Sequence, residues 1–290
     1  MHRDVIIMCD SVCDLPKDIV DKLGIHVVPL NVTVEDHSYR DGVDIKSEDI
    51  FNLYTKDGIL PKTSAFSIGE IEEEYKRYTS TGKAVVHISL GSKLSSCYQN
   101  ASIASDIDSE VFVIDSSQIT SGIGIMVIEA CKLRDEGYCA RTIVHRLNEL
   151  KDKIQTGFVI ESLDYLCAGG RCSALTSMGA NALRIRPSIE VRDGELKLGK
   201  RYRGKMEYVY RKFIDDNTDM SSIDTDYPVF ITYAGVDDTK VEAVKQFAES
   251  KLGINNIITN SAGCTVSNHC GPGTLGIIYV RKYKIGRAHV

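Results

Sequence analysis

The chain has 290 residues, of which 43% are hydrophobic and 26% are charged, and its formal net charge at pH 7 is −5. These values are typical of a soluble globular protein with enough chain for one large domain or two ordinary ones. The negative net charge excludes a general electrostatic attraction to nucleic acid. No apolar run reaches the roughly 20 residues that span a bilayer. Because residues 1–4 lead into a strand-like run without a signal peptide, we expect a cytoplasmic protein.

Nine cysteines are scattered along the chain, and their spacings match no structural zinc pattern. Scattered cysteines, odd in number, indicate reduced thiols that pack as small hydrophobic residues in a cytoplasmic protein. We therefore expect no metal site. The chain also lacks the glycine patterns of a P-loop and of a dinucleotide fingerprint, so we expect no cofactor.

The first half of the chain alternates continuous apolar strands with helices. Strands are predicted at residues 5–9, 25–34, 84–90 and 111–114, and helices at 16–23, 47–55, 68–78, 121–136 and 141–153. Apolar strands separated by helices are typical of a parallel sheet that is covered on both faces. We therefore predict an N-terminal α/β domain over residues 1–155, with a mostly parallel sheet flanked by helices.

The second half mixes strands, helices and a hairpin signal. Strands are predicted at residues 156–160, 188–191, 195–198, 229–233, 257–260 and 275–280, and helices at 174–183, 205–216 and 238–252. The turn Arg192-Asp-Gly-Glu195 between two short strands is typical of antiparallel pairing. We predict a C-terminal α+β domain with a mixed or antiparallel sheet over residues 156–284, and a non-native tail at 285–290. The fold class is therefore α/β with two domains.

Residues 87–99 form the most informative segment, in which an apolar strand leads into a hydroxyl-rich turn. A helix is predicted at residues 95–104, so that Ser95 and Ser96 lie at its start. Free amide N–H groups, hydroxyls and the positive end of the helix dipole favour an anion such as a carboxylate or a phosphate. An ordinary serine N-cap has the same pattern.

Other hydroxyl-rich positions also follow predicted strands. They are Asp10-Ser11, Thr63-Ser64, Ser92 and Asp115-Ser116-Ser117. Because ligand clefts form at the carboxyl ends of the strands in open α/β sheets, we expect these loops to converge on a polar corner.

Glycine-rich segments in the second half carry three further candidates. Arg171 follows a Gly-Gly turn, Arg203 precedes Gly204, and His269 lies shortly before a Gly-Pro-Gly turn. We expect His269 to lie in a small-residue loop that leaves its imidazole room to reach a ligand. A structural role is equally typical of a single histidine.

The residues also leave enzymatic and regulatory functions open. Ser95 and His269 could serve as nucleophile and base in a serine-dependent lipid hydrolase or acyltransferase, although no orienting acid and no nucleophile-elbow pattern accompany them. A basic stretch is typical of a solvated face, but could dock an acidic partner or phosphate groups, as in a regulatory interaction protein. Its members are Arg184, Arg186, Arg192, Lys197, Lys200, Arg201, Arg203 and Lys205.

Over nearly its whole length the chain resembles the bacterial DegV family, the fatty-acid-binding subunits of fatty acid kinase. The order and spacing of several short motifs carry the resemblance. They are Asp10-Ser-Val-Cys-Asp-Leu-Pro16, Lys62-Thr-Ser64, residues 87–99, Asp115-Ser116, Glu161-Ser-Leu-Asp-Tyr-Leu166, Gly169-Gly-Arg171, Arg186-Pro187, Arg203-Gly204 and His269 before Gly271-Pro-Gly273.

The resemblance implies a protein that encloses a long-chain fatty acid and presents its carboxylate to a separate ATP-dependent kinase, which forms the acyl-phosphate. Thr63 and Ser95 would donate hydroxyl hydrogen bonds to the carboxylate, reinforced by the N–H of Ser96 and by His269. Two residues, Arg171 and Arg203, would face the kinase. Membrane contact would at most be transient, to collect or release lipid.

Two departures from the family pattern bear on this site. Ser96 and Cys97 stand where the family usually has glycine and threonine, and Ala65-Phe66 stands where glutamine-proline is common. The loss of glycine matters only if position 96 needs a positive φ or a very close ligand approach. We expect helical dihedrals there, which suit serine. Ala65-Phe66 is expected to reshape the loop over the head group.

Overall fold

A computed structural model of the protein describes residues 4–171 and 185–282. The predicted helix at 174–183 and the predicted tail at 285–290 therefore lie outside the described residues, as do Cys172 and Arg184. In chain order the helices and strands are β1 (Val5–Asp10), α1 (Lys17–Leu23), β2 (His26–Val28), β3 (Asn31–Val34), β4 (His37–Arg40), α2 (Ser47–Asn52), β5 (Lys62–Ser64), α3 (Ile68–Thr79), β6 (Ala84–Ser89), α4 (Cys97–Ala104), β7 (Val111–Asp115), α5 (Ser121–Asp135), α6 (Ala140–Lys151), β8 (Ile154–Val159), α7 (Asp164–Ala168), β9 (Arg186–Arg192), β10 (Glu195–Tyr202), α8 (Met206–Asn217), β11 (Val229–Ala234), α9 (Asp238–Leu252), β12 (Ile257–Ser261), α10 (Cys264–Cys270) and β13 (Thr274–Val280).

The first half of the chain forms a four-stranded parallel sheet in the order β2-β1-β6-β7. All six residues of β6 are buried, as expected for a central strand that is covered on both faces. Helices α3 and α4 contact one another and the sheet, and α5 and α6 form a second such pair. The predicted parallel sheet with flanking helices is confirmed.

The second half forms a six-stranded mixed sheet in the order β10-β9-β8-β13-β11-β12, in which only β11 and β12 run parallel. The predicted hairpin joins β9 to β10. Asp193 and Gly194 at its tip have φ of 53° and 75°, the left-handed conformations whose twist matches that of the paired strands. The predicted mixed sheet is confirmed.

A third sheet, with three antiparallel strands in the order β4-β3-β5, has no counterpart in the sequence predictions. The strand predicted at residues 25–34 is in fact two strands, because β2 belongs to the parallel sheet and β3 to this small one. Thr63 lies at the centre of β5 and is therefore held by pairing with β3.

Helix α5 packs between the two large sheets, since it contacts β1 and β6 on one side and β8 and β13 on the other. Seven consecutive residues at its start, Ser121 to Val127, are buried, which explains a sequence that is apolar on most faces. The largest hydrophobic core likewise extends from the parallel sheet to Phe230, Ile278 and Val280 of the mixed sheet.

The cysteines follow their predicted role in most cases. Seven described cysteines are free, and six of them are buried. Cys167 is disulfide-bonded, so the expectation of reduced thiols throughout is wrong at that position. None of the helices over the described ranges is both long and apolar enough to cross a membrane.

Candidate functional site

A cavity of about 280 Å³ lies between the carboxyl ends of the parallel strands and one face of the mixed sheet. Its walls come from β8, β11 and β13, from α10, from β5, and from the loops that follow β1, β2, β6 and β7. A cleft at this edge of a parallel sheet is the usual place for a ligand in open α/β folds. Leu94, Ile119, Phe158, Val266 and Ile278 give the wall a mainly apolar character.

Five of the six predicted site residues line this one cavity. They are Thr63, Ser95, Ser96, Arg171 and His269. The sixth, Arg203, is exposed in the loop between β10 and α8 and does not line the cavity. A mainly apolar cavity with a few converging polar groups is the usual form of a small-molecule site.

Thr63 and His269 are in direct contact although 206 residues separate them: Thr63 Oγ1 lies 2.9 Å from His269 Nε2. His269 is the sixth of seven residues in α10, so the expectation that it lies in a loop is wrong. Nearby, the Asn268 amide donates to the carbonyl of Pro61 at 3.0 Å, which ties α10 to the segment that leads into β5.

Two carboxylates from the first half of the chain explain why this short segment is helical. Asp41 accepts hydrogen bonds from the N–H groups of Cys264 and Thr265 at 2.9 and 3.1 Å. Asp14 accepts from the N–H of Gly263 at 2.8 Å. Together they satisfy the N–H groups that a helix start leaves without partners. Burial raises the pKa of Asp14 to about 7, against the opposing effect of its hydrogen bonds.

The electrostatic setting of His269 favours a neutral imidazole. Burial and, to a smaller extent, the charge of Arg171 lower the pKa of His269 to about 4. Its Nδ1 atom is buried and has no hydrogen-bond partner among the described residues. A neutral ring with one nitrogen on Thr63 can position that hydroxyl, but its low basicity makes it a weak general base near pH 7.

Ser95 and Ser96 lie immediately before α4, which begins two residues later than predicted. Ser96 is the N-cap residue with φ of −81°, so the replacement of glycine needs no positive φ. The backbone at this position is therefore compatible with serine, and the tolerance of serine beside a bound head group stays a prediction. Ser95 Oγ accepts a hydrogen bond from the N–H of Cys97 at 3.3 Å and lies 3.1 Å from its sulfur. Burial raises the pKa of the Cys97 thiol, which therefore stays protonated.

The geometry of a serine hydrolase is missing over the described ranges. His269 contacts Thr63 rather than Ser95, and no carboxylate contacts its other ring nitrogen. A nucleophile activated by a base needs both contacts. The structure therefore gives no support to the hydrolase or acyltransferase alternative.

The expected convergence of all the hydroxyl-rich loops is wrong in part. Thr63, Ser64, Ser95 and Ser96 line the cavity. The loops after β1 and β7 reach it through Val12, Ile119 and Thr120, but their predicted polar residues at 10–11 and 115–117, like Ser92, do not line it. Asp115, for example, accepts hydrogen bonds from Ser92 and from the N–H of Ser117. Short polar side chains often satisfy the backbone of their own turns in this way.

A buried polar network supports the loop between β6 and α4. Asp10 accepts hydrogen bonds from the hydroxyl of Ser89 at 2.9 Å and from the N–H of Leu90 at 2.7 Å. His87 Nε2 lies 2.8 Å from Asp10, and His87 Nδ1 lies 2.7 Å from the hydroxyl of Tyr75. Leu90 lines the cavity, so this network fixes one end of the loop that carries Ser95 and Ser96.

Four of the seven described members of the basic stretch form ion pairs. Arg186, Arg192, Lys197 and Lys200 form ion pairs with Glu161, Glu190, Glu195 and Asp216 respectively. Gly204, next to Arg203, lines a second cleft of about 700 Å³, which is open and polar. Over residues 4–171 and 185–282, no group of three or more histidine, cysteine, aspartate or glutamate side chains could hold a metal ion.

Two features of the site were not predicted from the sequence. They are Thr265, which lines the cavity, and the carboxylate of Asp41, which holds the start of α10. The four-residue spacing of Thr265 and His269 was the available signal, because it places two side chains on one helix face. No local pattern reveals a partner more than 200 residues away.

Comparison with known proteins assigns the chain to a family. The family model described as "Uncharacterised protein, DegV family" matches residues 4–282. A DegV domain-containing protein of Clostridium acetobutylicum is 33% identical over 279 residues, covering 96% of this chain and 98% of that protein. One from Caldanaerobacter subterraneus subsp. tengcongensis is 34% identical over 288 residues, covering 96% and 99%.

Solved structures share the fold over almost the whole chain. One, described as "Fatty Acid Binding of a DegV family Protein from Thermus thermophilus", has a TM-score of 0.85 at 27% identity and covers 97% of this chain and 100% of that one. A fatty acid (stearic acid)-binding protein from Eubacterium ventriosum has a TM-score of 0.83 at 27% identity, with coverages of 98% and 99%. The family model and the curated relatives match almost the whole chain, and the chain belongs to the DegV family.

Proposed function

We propose that this protein binds a long-chain fatty acid in the cavity and presents its carboxylate to a partner kinase that forms the acyl-phosphate. The observation that carries the proposal is a mainly apolar cavity lined by the bonded pair Thr63–His269 together with Ser95 and Ser96. The solved structures described as binding fatty acids support the choice of ligand.

The head group would be held by neutral donors. If His269 Nε2–H donates to Thr63 Oγ1, the hydroxyl proton of Thr63 is free to donate to a carboxylate oxygen. The hydroxyl of Ser95 and the N–H of Ser96 would supply further hydrogen bonds, aided by the positive end of the α4 dipole. Hydrogen bonds to a charged acceptor are the stronger ones.

The apolar wall would supply most of the affinity. Each buried methylene contributes about 0.8 kcal/mol, so roughly 15 methylenes contribute about 12 kcal/mol before the costs of binding. Ordering and association remove several kcal/mol, which leaves affinities on the order of micromolar. The head-group bonds then determine orientation more than affinity, which suits a protein that hands its ligand to another enzyme.

The partner kinase would dock where the cavity opens beside Arg171 and near Arg203. Arg171 lines the cavity while its side chain stays exposed, with a 2.8 Å hydrogen bond to the carbonyl of Gly169. Tyr208 is 61% exposed and lies beside Gly204. Arginine and tyrosine are typical of the residues that dominate interface energies. Lipid would enter and leave through at most transient membrane contact.

Bound-lipid mass spectrometry tests the fatty-acid part of this proposal. Lipid extracted from the purified protein is expected to contain long-chain fatty acids, and delipidated protein is expected to bind added palmitic acid. The absence of both would refute the proposal. Turnover of an acyl ester by this chain alone, abolished in Ser95→Ala, would instead establish the hydrolase alternative.

Arg203→Ala is expected to leave palmitic acid binding unchanged and to slow acyl-phosphate formation with the kinase by about tenfold, the effect of removing one of the few interface residues that contribute more than about 1 kcal/mol. Arg40→Ala is the control. Arg40 is also an exposed arginine, but it lies in β4 of the small three-stranded sheet, where it forms an ion pair with Asp44. Steady-state rates with radiolabelled ATP give the comparison. Equal rates for Arg203→Ala and the unmodified protein would remove Arg203 from the docking surface.

Gly169→Ala is expected to weaken palmitic acid binding by about tenfold. Gly169 has φ of −77°, so alanine fits the backbone, but its Cβ would overlap His269 Nδ1. His269 must then move and lose its contact with Thr63. Gly69→Ala is the control, since its added Cβ has no neighbour within 4 Å. Calorimetry measures the affinities. If Gly169→Ala and Gly69→Ala bind palmitic acid equally well, the position of His269 does not matter for binding.

A further inference from the structure

Six threonines line the cavity, and the hydrogen bonding of their hydroxyls separates one from the rest. Five have a partner within the protein: Thr63 with His269, Thr120 with Asp14, Thr156 with Gln118, Thr232 with Asn260 and Thr274 with the carbonyl of Cys270. The sixth, Thr265, is only 6% exposed, and its Oγ1 has no partner among the described residues.

Thr265 is fixed in the cavity wall by its backbone and by its place in the helix. It is the second residue of α10, and its N–H donates to Asp41 at 3.1 Å. Four residues separate it from His269, so the two side chains share one face of the helix with Cβ atoms about 5–6 Å apart. The wall around it includes Ala262 and Val266, which are apolar.

A buried hydroxyl without a partner is unfavourable, because it has lost its bonds to water and gained nothing in return. A plain acyl chain passing over Thr265 would leave that hydroxyl in this state. A ligand that carries an oxygen at the same depth would satisfy it. A hydroxyl in this position would favour one ligand over another by a hydrogen bond rather than by shape.

We propose that Thr265 binds an oxygen substituent on the acyl chain, so that the cavity accepts hydroxy or oxo fatty acids substituted near the carboxyl end. The proposal rests on the proposed fatty-acid binding and adds a chemical class of ligand to it. With the carboxylate at Thr63 and His269, an offset of 5–6 Å corresponds to about four or five bonds of extended chain at roughly 1.2 Å each. For a chain that runs along α10, the substituent would then lie on carbon 3 or 4 if the bonds are counted between the two oxygens, and on carbon 5 or 6 if they are counted from the carboxyl carbon to the substituted carbon.

The test measures dissociation constants of delipidated protein for palmitic acid, for hydroxypalmitic acids substituted at carbons 3 to 6, and for 16-hydroxypalmitic acid. The unmodified protein is expected to favour at least one of the isomers substituted at carbons 3 to 6. That preference, relative to palmitic acid, should fall about tenfold in Thr265→Val, which keeps the shape and removes the hydroxyl. Thr265→Ser should retain the preference. The affinity for 16-hydroxypalmitic acid, relative to palmitic acid, should be the same in both variants as in the unmodified protein.

The outcomes separate this proposal from the one on which it rests. If the unmodified protein and Thr265→Val prefer the hydroxypalmitic acids over palmitic acid to the same extent, the proposed role of Thr265 is wrong. If Thr265→Val loses affinity equally for every fatty acid, the role is also wrong, because Thr265 would then contact the carboxylate that all of them share. If neither palmitic acid nor any hydroxypalmitic acid binds to the unmodified protein, the proposed function itself fails.

Discussion

Replacing Asp10 with alanine is expected to lower the free energy of unfolding by about 3–5 kcal/mol, the usual size of the effect when one partner of a buried charged network is removed. Asp10 is fully buried. Its loss would leave the hydroxyl of Ser89, the N–H of Leu90 and the ring of His87 without their acceptor in a site that water cannot reach. Urea unfolding followed by circular dichroism measures the change.

Asp115→Ala is the matched control for Asp10→Ala. Asp115 also ends a strand of the parallel sheet and also accepts hydrogen bonds from the loop that follows β6, but its bonds from Ser92 are exposed. Its replacement is expected to lower the free energy of unfolding by no more than about 1 kcal/mol, because water can take the place of the carboxylate. Equal losses in the two variants would show that burial of the Asp10 network contributes nothing special to stability.

Thr63→Val is expected to weaken palmitic acid binding by roughly 10- to 100-fold, since hydrogen bonds to charged groups contribute about 1.5–3 kcal/mol. Valine keeps the shape of the side chain and removes the hydroxyl that lies 2.9 Å from His269 Nε2. If the two residues act as one unit, adding His269→Ala to Thr63→Val should cost much less affinity than His269→Ala costs alone.

Thr274→Val is the control for Thr63→Val. Thr274 lines the same cavity, but its hydroxyl donates to the carbonyl of Cys270 and is not free for a ligand. Its replacement is expected to affect stability more than affinity. Calorimetry on delipidated protein gives both affinities, and unchanged binding in Thr63→Val would remove Thr63 from the head-group site.

Local patterns were sufficient for the regular part of the fold. The continuous apolar runs at β1, β6 and β7 predict a parallel sheet because buried strands need apolar residues on both faces. The hairpin between β9 and β10 was recognisable because Asp-Gly suits the positive φ values that such a turn requires. Elements whose stability comes from their own sequence are the ones that sequence predicts.

Elements held by distant partners were missed. Residues 25–34 are predicted as one strand, yet β2 pairs with β1 in the parallel sheet and β3 pairs with β4 and β5 in the small one. Helix α10 has seven residues and weak helix formers, and it depends on the carboxylates of Asp14 and Asp41. A tertiary capping interaction of this kind has no local signature.

The candidate site was predicted through family resemblance rather than through local physics. Ser95 at a helix start indicated an anion site of unspecified kind, and the apolar cavity beside it became visible only in the structure. Thr265 could not be singled out, because whether a hydroxyl has a partner depends on the packing of residues far apart in the sequence. Six threonines line the cavity, and the fold leaves one of them, Thr265, without a hydrogen-bond partner for its hydroxyl among the described residues.

A crystal structure of the protein loaded with palmitic acid would locate both the acyl chain and its carboxylate. We expect an acyl chain inside the cavity between α10 and the mixed sheet, with a carboxylate oxygen within about 3 Å of Thr63 Oγ1 and the other oxygen near Ser95 and the N–H of Ser96. A carboxylate at the opposite end of the cavity, or an acyl chain bound elsewhere on the protein, would contradict it.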